Sequence, residues 1–222
     1  MQRIIVQTKD GSPTIAVHGL NLTFHSIYGA LQESKHVFIQ AALEPLLPDK
    51  KTLHVFEMGF GTGLNALLTL HSAIKNGKHI YYEAAELFPL PEDLYTQLDY
   101  TPFFTEFDAY KTLQLLHRCA WNKASPINEV FVLQKVLCSL QAYTFTKQFD
   151  IVYFDAFDPA IQPELWTQQI FEKLYLAMHV NGILTTYSAK GTVRRNMQAA
   201  GFRVEKIPGA PGKREMLRAF KI

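Results

Sequence analysis

Residues 57–63 read Glu-Met-Gly-Phe-Gly-Thr-Gly, between an apolar run, Leu53-His54-Val55-Phe56, and a helical pattern from Leu64 to Lys75. Alternating glycines in a strand-to-helix turn let the backbone fold tightly and approach a ligand closely. A unit of this kind needs neighbouring strands and covering helices to bury its apolar strand, so it commits the chain to an α/β layout. The spacing also separates ligand classes. Nicotinamide-binding turns use GxGxxG, whereas here GxGxG follows an acid placed two residues before its first glycine. No GxxxxGK[ST] occurs in the chain, which excludes a nucleoside-triphosphate P-loop. A purely structural turn is the plain alternative.

The alternation continues downstream. His79 to Ala85 reads as a second strand, Glu129 to Leu137 as a third, Phe149 to Phe154 as a fourth, Ile183 to Ser188 as a fifth and Arg203 to Ile207 as a sixth. Mixed or helical chain fills Pro91 to about Arg118, and helices at 164–178 and 190–200 lie between the last three of these strands. Arg214 to Phe220 returns on the sixth strand through Pro208-Gly209-Ala210-Pro211-Gly212 and is therefore antiparallel to it. The expectation is a doubly wound α/β sheet, mostly parallel, with helices on both faces and an antiparallel last strand. Upstream, residues 3–8 and 13–24 carry short apolar alternations around the turn Asp10-Gly11-Ser12-Pro13, and Gly29 to Leu47 reads as a helix stopped by Pro48. The chain thus divides into an N-terminal β/helical extension, 1–50, and a main domain, 51–222.

Apolar residues make up 48% of the 222 and charged residues 19%, enough apolar chain for a core and too little charge for a disordered state. No run approaches 18 apolar residues, and the start, MQRIIVQTKDG, lacks the apolar stretch and cleavage site of a signal peptide; a cytoplasmic protein without a membrane span is expected. Cys119 and Cys138 fit neither a CxxC motif nor a zinc site and read as two buried free thiols. The net charge of +2 conceals an asymmetry: residues 187–222 hold nine Lys/Arg against Glu205 and Glu215, a local +7, while 1–186 carry −5. A basic end on an acidic body suits a polyanionic partner, although solvated surface accounts for many such ends.

The pattern E/D-x-G-x-G-x-G resembles motif I of class I S-adenosylmethionine-dependent methyltransferases, a Rossmann-like family. That resemblance makes Glu57, Gly59, Gly61, Gly63 and Asn65 candidate cofactor contacts, with S-adenosyl-L-methionine as the cofactor. An acid to hold the ribose belongs at the end of the second strand, where open α/β sheets bind ligands. Glu86 stands there, with Glu83 as a competitor inside the strand and helix capping as Glu86's other role. Asp155 directly follows the fourth strand, at the sheet's carboxyl edge. A methyl acceptor must present a free lone pair, and an aliphatic amine near neutral pH is mostly protonated, so a carboxylate that orients it and takes its proton is the expected catalytic group. A turn-capping role is the alternative for Asp155. Asp155 and Asp158 are too few acids for a Mg²⁺ site and the eight histidines are scattered, so no metal is expected.

Over nearly its whole length the chain resembles the methyltransferase part of the MnmC family, bifunctional tRNA 5-methylaminomethyl-2-thiouridine biosynthesis proteins. The resemblance runs from Asp10-Gly11-Ser12-Pro13-Thr14 and Phe24-His25-Ser26 with Gly29, Glu33 and Val37-Phe38, through the glycine loop and Phe88-Pro89-Leu90. It continues in Asp155-Ala156-Phe157-Asp158-Pro159 with Pro163-Glu164-Leu165-Trp166, then Tyr187-Ser188, Val193-Arg194-Arg195, Ala200-Gly201-Phe202 and Lys213-Arg214-Glu215-Met216. It implies methyl transfer to the amine of 5-aminomethyl(-2-thio)uridine at the tRNA wobble position, Asp155 in the active site, Glu33 among the cofactor contacts and a basic tail near the RNA. It also implies a stand-alone methyltransferase, with a separate enzyme supplying the aminomethyl group. Leu87 stands where the family often has Lys. No acid follows the third strand to meet an adenine amino group, and Gln134 is the nearest substitute.

The helix over 190–200 puts Val193, Met197 and Ala200 on one face and leaves Arg194 and Arg195 off it. With Lys190, Lys213, Arg214 and Arg218 they can contact phosphates, and Phe157 and Trp166 can stack on a splayed base, although aromatic residues more often fill a core. Two other readings stay open: a methyltransferase of a small-molecule amine or hydroxyl, and a non-catalytic RNA-binding module. Intact glycines and Asp155 speak against the last.

Overall fold

The computed structural model describes residues 2–19 and 22–222, so Leu20 and Asn21, within the second apolar alternation, lie outside it. The N-terminal residues form a small antiparallel sheet of β1 (Arg3–Gln7), β2 (Pro13–Val17) and β3 (Leu22–Thr23). Asp10 organises its first turn. One carboxylate oxygen accepts the Ser12 N–H at 3.0 Å, and the other accepts the Gln32 N–H at 3.0 Å. The second bond caps α1 (Ala30–Ser34), whose own N-cap residue, Gly29, has no side chain to offer. Gly29 is required by space, because a Cβ there would lie 2.5 Å from an Asp10 oxygen. The helix continues as a π-helical stretch, Lys35–Leu43, and a 3-10 turn, Glu44–Leu46, so the helix expected over 29–47 is present but wound wider in the middle. Val37, Phe38, Ala42 and Leu43 are buried, in one core cluster with Leu53, Leu67, Tyr153 and Met216 of the main domain.

The large sheet has eight strands in the order β10-β11-β9-β8-β4-β5-β7-β6. Its parallel centre consists of β4 (Thr52–Met58), β5 (His79–Glu86), β7 (Phe131–Leu137), β8 (Phe149–Phe154) and β9 (Met178–Thr186). The chain runs from β4 outward to β5 and β7, then returns to place β8 on the other side of β4. The carboxyl ends of β4 and β8 therefore meet at the point of reversal, where such sheets leave a crevice. Residues of β8 alternate between the two cores: Ile151 and Tyr153 pack with the helices of one face, Val152 and Phe154 with those of the other. On the first face lie α2 (Leu64–Asn76) and α4 (Ala109–Arg118), and on the second α5 (Gln168–Leu176) and α6 (Gly191–Ala199). A single turn of helix, α3 (Glu92–Tyr95), precedes α4.

The hairpin of β10 (Arg203–Pro208) and β11 (Glu215–Phe220) is as expected, and β11 runs antiparallel to β9. One strand went unread: β6 (Ala124–Asn128) pairs antiparallel with β7 at the far edge. Its sequence, Ala-Ser-Pro-Ile-Asn, has Ile127 as its one strand-forming residue, and Pro126 is tolerated because an edge strand has one unpaired side. The fifth strand begins at Met178, five residues earlier than expected, because His179, Asn181 and Gly182 mask its start. Cys119 and Cys138 are free and half-buried, not fully buried.

Candidate active site

The glycine loop leaves β4 with Gly59, Gly61 and Gly63 at φ of +87°, +50° and +75°, conformations that side-chain-bearing residues rarely adopt. Gly63 has no room either: a Cβ would stand 3.1 Å from Leu113 Cδ1 and from Phe60 Cζ. A cleft of about 460 Å³ opens above the loop, within the usual range for small-molecule sites. Met58, Asn65, Glu86 and Asp155 line its floor, Phe24 and Phe157 one wall, and Ser139 to Gln141 another.

The sequence-derived residues fall into three groups. Glu57, Asn65 and Asp155 form one chain of contacts. The Asn65 side-chain amide donates to Glu57 Oε1 at 2.8 Å and to Asp155 Oδ2 at 2.9 Å. Register explains the meeting, since Met58 of β4 pairs with Phe154 of β8 and the next residues are Gly59 and Asp155. Burial drives the Glu57 carboxyl well above the usual carboxylate range against the Asn65 hydrogen bond, with the negative charge of Asp155 adding to the rise. Burial likewise raises Asp155 to about 7; Glu33 pushes the same way, and the Asn65 bond and Lys213 oppose. The second group is Glu86, at the end of β5. Its carboxylate accepts the Gly61 N–H at 3.1 Å and the Phe88 N–H at 2.7 Å, so it faces the glycine loop. Glu83, the competitor, is turned away to the Tyr143 hydroxyl and to Lys147 at 2.9 Å.

The third group divides. Glu33 does not line the cleft: one oxygen accepts the Ser26 N–H at 2.7 Å and the other meets Lys213 Nζ at 2.6 Å. Lys213 also lies 3.9 Å from the Tyr187 ring centroid, and Lys190 pairs with Asp158 at 2.5 Å. Arg194, Arg195 and Arg214 are exposed and carry no ion pair among the described residues. Arg194 and Arg214 both act on Glu215, so α6 and the 209–214 loop bring their charges together at the sheet's carboxyl edge. Phe157 stands at the cleft, edge-on to Phe24 with centroids 5.3 Å apart.

Two expectations fail. Trp166 is buried, its indole N–H donating to the Phe157 carbonyl at 2.8 Å, so it braces the site rather than offering a face to a base. Gln134 lies three residues short of the end of β7 and lines a separate small cavity with His54 and Lys147; the Ser139–Gln141 loop is what reaches the cleft. Phe24 and His25, which enter the resemblance without a role of their own, reach the cleft from the extension. His25 is buried against Thr14 Oγ1 at 2.8 Å and burial lowers it to about 4, so it is neutral near pH 7. Tyr187 follows β9 directly, as Asp155 follows β8, so the positional rule that singles out Asp155 applies to it as well.

The residues fit S-adenosyl-L-methionine. Asn65, on the cleft, keeps its Oδ1 without a partner among the described residues, suited to an ammonium donor, while Glu57 lies behind it, turned to Asn65 and to the Tyr82 hydroxyl; Glu86 is a carboxylate aimed at the loop; and the glycines leave the cradle free of Cβ atoms.

Residues 114–222 match a family described as S-adenosyl-L-methionine-dependent methyltransferase. The bifunctional tRNA 5-methylaminomethyl-2-thiouridine biosynthesis protein MnmC of Campylobacter hominis is 31% identical over 195 residues, 85% of this chain and 28% of that protein. Its counterpart in Aromatoleum aromaticum is 30% identical over 228 residues, 95% of this chain and 34% of that protein. The chain thus spans about a third of the length of these curated relatives. The crystal structure of MnmC2 from Aquifex aeolicus superposes with a TM-score of 0.82 at 23% identity, covering 99% of this chain and 70% of that one. Spermidine synthase from Thermotoga maritima shares the fold at a TM-score of 0.60 and 15% identity, covering 98% of this chain and 67% of that one. In sequence and in fold, the chain is an MnmC-like, S-adenosyl-L-methionine-dependent class I methyltransferase.

Proposed function

We propose that the protein methylates the amine of 5-aminomethyl(-2-thio)uridine at the wobble position of tRNA. The carrying observation is Asp155: an acid lining the cleft, raised to about 7 by burial and, among the described residues, hydrogen-bonded only through the Asn65 amide. Bound S-adenosyl-L-methionine supplies an electrophilic methyl group on sulfur. Glu86 would receive its ribose hydroxyls, the glycines would admit it to the backbone, and Asn65 Oδ1 would accept from its ammonium, with Glu57 holding the Asn65 amide in place. Asp155 holds the acceptor amine and takes its proton. The raised pKa makes that transfer feasible. From an alkylammonium near pKa 10, an ordinary carboxylate near 4 would have to take the proton uphill by about 8 kcal/mol, whereas one near 7 faces about 4 kcal/mol.

Arg194, Arg195 and Arg214 are the phosphate contacts of this reading, and Phe157 with Phe24 forms the wall against which the uracil ring rests. Residues 1–50 serve the domain 51–222 by closing one side of the cleft through Phe24 and His25. Among the described residues no helix is long and apolar enough to cross a membrane, and we place the reaction in the cytoplasm with the tRNA. Methyl transfer to nitrogen leaves the aminomethyl carbon untouched, so an activity of another reaction class makes that group.

The direct experiment incubates the protein and S-adenosyl-L-methionine with tRNA bearing 5-aminomethyl-2-thiouridine and reads the nucleosides by mass spectrometry. One added methyl on that nucleoside is the expected result, and Asp155→Ala abolishes it while cofactor affinity stays within a few-fold. A small-molecule amine or hydroxyl acceptor is the second reading, favoured by the tail's ion pairs: Lys190, Lys206, Lys213 and Arg218 are all engaged with carboxylates. Turnover on a small amine without RNA would select it.

A further inference from the structure

Three carboxylates gather around Tyr187: Glu33 from α1, Asp155 after β8, and Asp158 three residues on. All three act on the Tyr187 hydroxyl, which burial chiefly holds in its protonated form. Two lysines answer them. Lys190 pairs with Asp158 at 2.5 Å, and Lys213 pairs with Glu33 at 2.6 Å while lying over the Tyr187 ring. Asp155 has no cationic partner among the described residues, only the Asn65 amide. Asp155 is thus the one carboxylate of the three without a lysine at ion-pair distance, and it is the one that lines the cleft.

We infer that this cluster is the seat of the acceptor's ammonium group, held by the Tyr187 face and the Glu33 carboxylate beside Asp155, and that Lys213 Nζ stands in the seat as an internal substitute for it. The inference rests on the reading of Asp155 as the proton acceptor at an amine. An aromatic face joined to a carboxylate is what recognises an alkylammonium, and Lys213 is one. The seat is held without Lys213. Glu33's second oxygen is fixed by the Ser26 N–H at 2.7 Å, and the Tyr187 hydroxyl donates to the Ala156 carbonyl at 2.8 Å. Lys213 can leave it: the side chain is about a third exposed, on a loop turned by Gly209 and Gly212. When the acceptor enters as R–NH₃⁺, one proton passes to the Asp155 carboxylate. The products are R–NH₂, with its lone pair free, and neutral Asp155. A hydroxyl acceptor brings no charge to the seat and leaves Asp155 without a cation. The seat therefore separates the ammonium arm of the proposed acceptor from a hydroxyl arm of the same length.

The test compares two probes: one tRNA carrying 5-aminomethyluridine and the same tRNA carrying 5-hydroxymethyluridine. Binding to the full chain is measured with S-adenosylhomocysteine present, and methyl transfer to the amine probe is measured in parallel. The wild type binds the amine probe at least ten-fold more tightly at pH 7. Glu33→Gln brings that ratio below two-fold and leaves the hydroxyl probe unchanged, which a general folding defect would not do. Lys213→Met keeps or widens the ratio and leaves the hydroxyl probe within two-fold. Equal binding of both probes by an active wild type overturns the seat alone. So does Lys213→Met if it weakens both probes alike, which would make Lys213 a phosphate contact. No methylation of the amine probe, with S-adenosyl-L-methionine bound, overturns the wobble-uridine reading and the seat with it.

Discussion

Two residues set the chemistry by their surroundings rather than by their identity. Asp155 is an ordinary acid whose proton affinity is retuned by burial and Glu33, against Asn65 and Lys213, with Glu57 and Tyr187 also facing it. Because the carboxylate is the active form, kcat/KM for the amine acceptor falls as pH drops through about 7. Glu33→Gln removes a negative neighbour and moves that limb to lower pH. Lys213→Met removes a positive one and moves it higher, and a pH–rate series on the three proteins reads both shifts. Asp155→Asn loses the limb together with about 10²–10⁴ of the rate. Gly63 is the second case. At φ +75° with 3.1 Å to Leu113 and Phe60, Gly63→Ala combines backbone strain with overpacking. Urea unfolding should show a loss of about 2–4 kcal/mol, whereas Gly77→Ala, at φ +60° in open space, carries the strain alone and loses less.

At the level of elements, the distribution of positive charge is decided by what each basic side chain meets. Lys190 and Lys213 carry the same charge as Arg194, Arg195 and Arg214, but each already has a carboxylate. The first turn of α6 and the loop after β10 present the three free arginines on the edge where the cleft opens. Changing Arg194, Arg195 and Arg214 together to Ala is expected to raise the KM for tRNA at least ten-fold and leave the KM for S-adenosyl-L-methionine within two-fold. The salt dependence of tRNA binding should flatten by about 0.7–0.9 log units per removed phosphate contact. Lys190→Ala should change that slope less, since its charge is already neutralised by Asp158. Competitive binding across a salt series measures both. The apolar face of α6 is legible from spacing alone: Val193 and Met197 are buried on it, as is Ala200 at its C-cap.

For the molecule as a whole, buried titratable groups of opposite kinds balance over part of the pH range. His25 and His117 are lowered to about 4 by burial, so they cost stability as pH falls from about 6.5 towards 4. Asp155 and Glu57 have raised values, so the stability they contribute is present at low pH and is lost as pH rises through their folded pKa, about 7 for Asp155. Between about 4.5 and 6.5 the two effects oppose each other. Above 6.5 the histidines are neutral in both states and only the acids remain. The cofactor-free protein is therefore expected to lose on the order of 1 kcal/mol between pH 6.5 and 8, and the Asp155→Asn protein to lose less, by urea midpoints across pH. Alternating apolar runs, glycine spacing and strand termini are local properties of the chain, and they suffice for the parallel centre of the sheet, the antiparallel return of β11, the glycine loop and the two acids at strand ends. The sequence could not determine β6, whose residues are held by pairing and not by preference. Nor could it show that Trp166 faces inward, that Gln134 falls short of the cleft, or that Phe24 and His25 reach it. Lys213 was legible as a basic residue and illegible as the partner of Glu33, 180 positions away. That pairing exists only because the N-terminal extension and the last hairpin pack on the same edge of one sheet, and long-range packing of this kind decides which charges are spent and which are left to act.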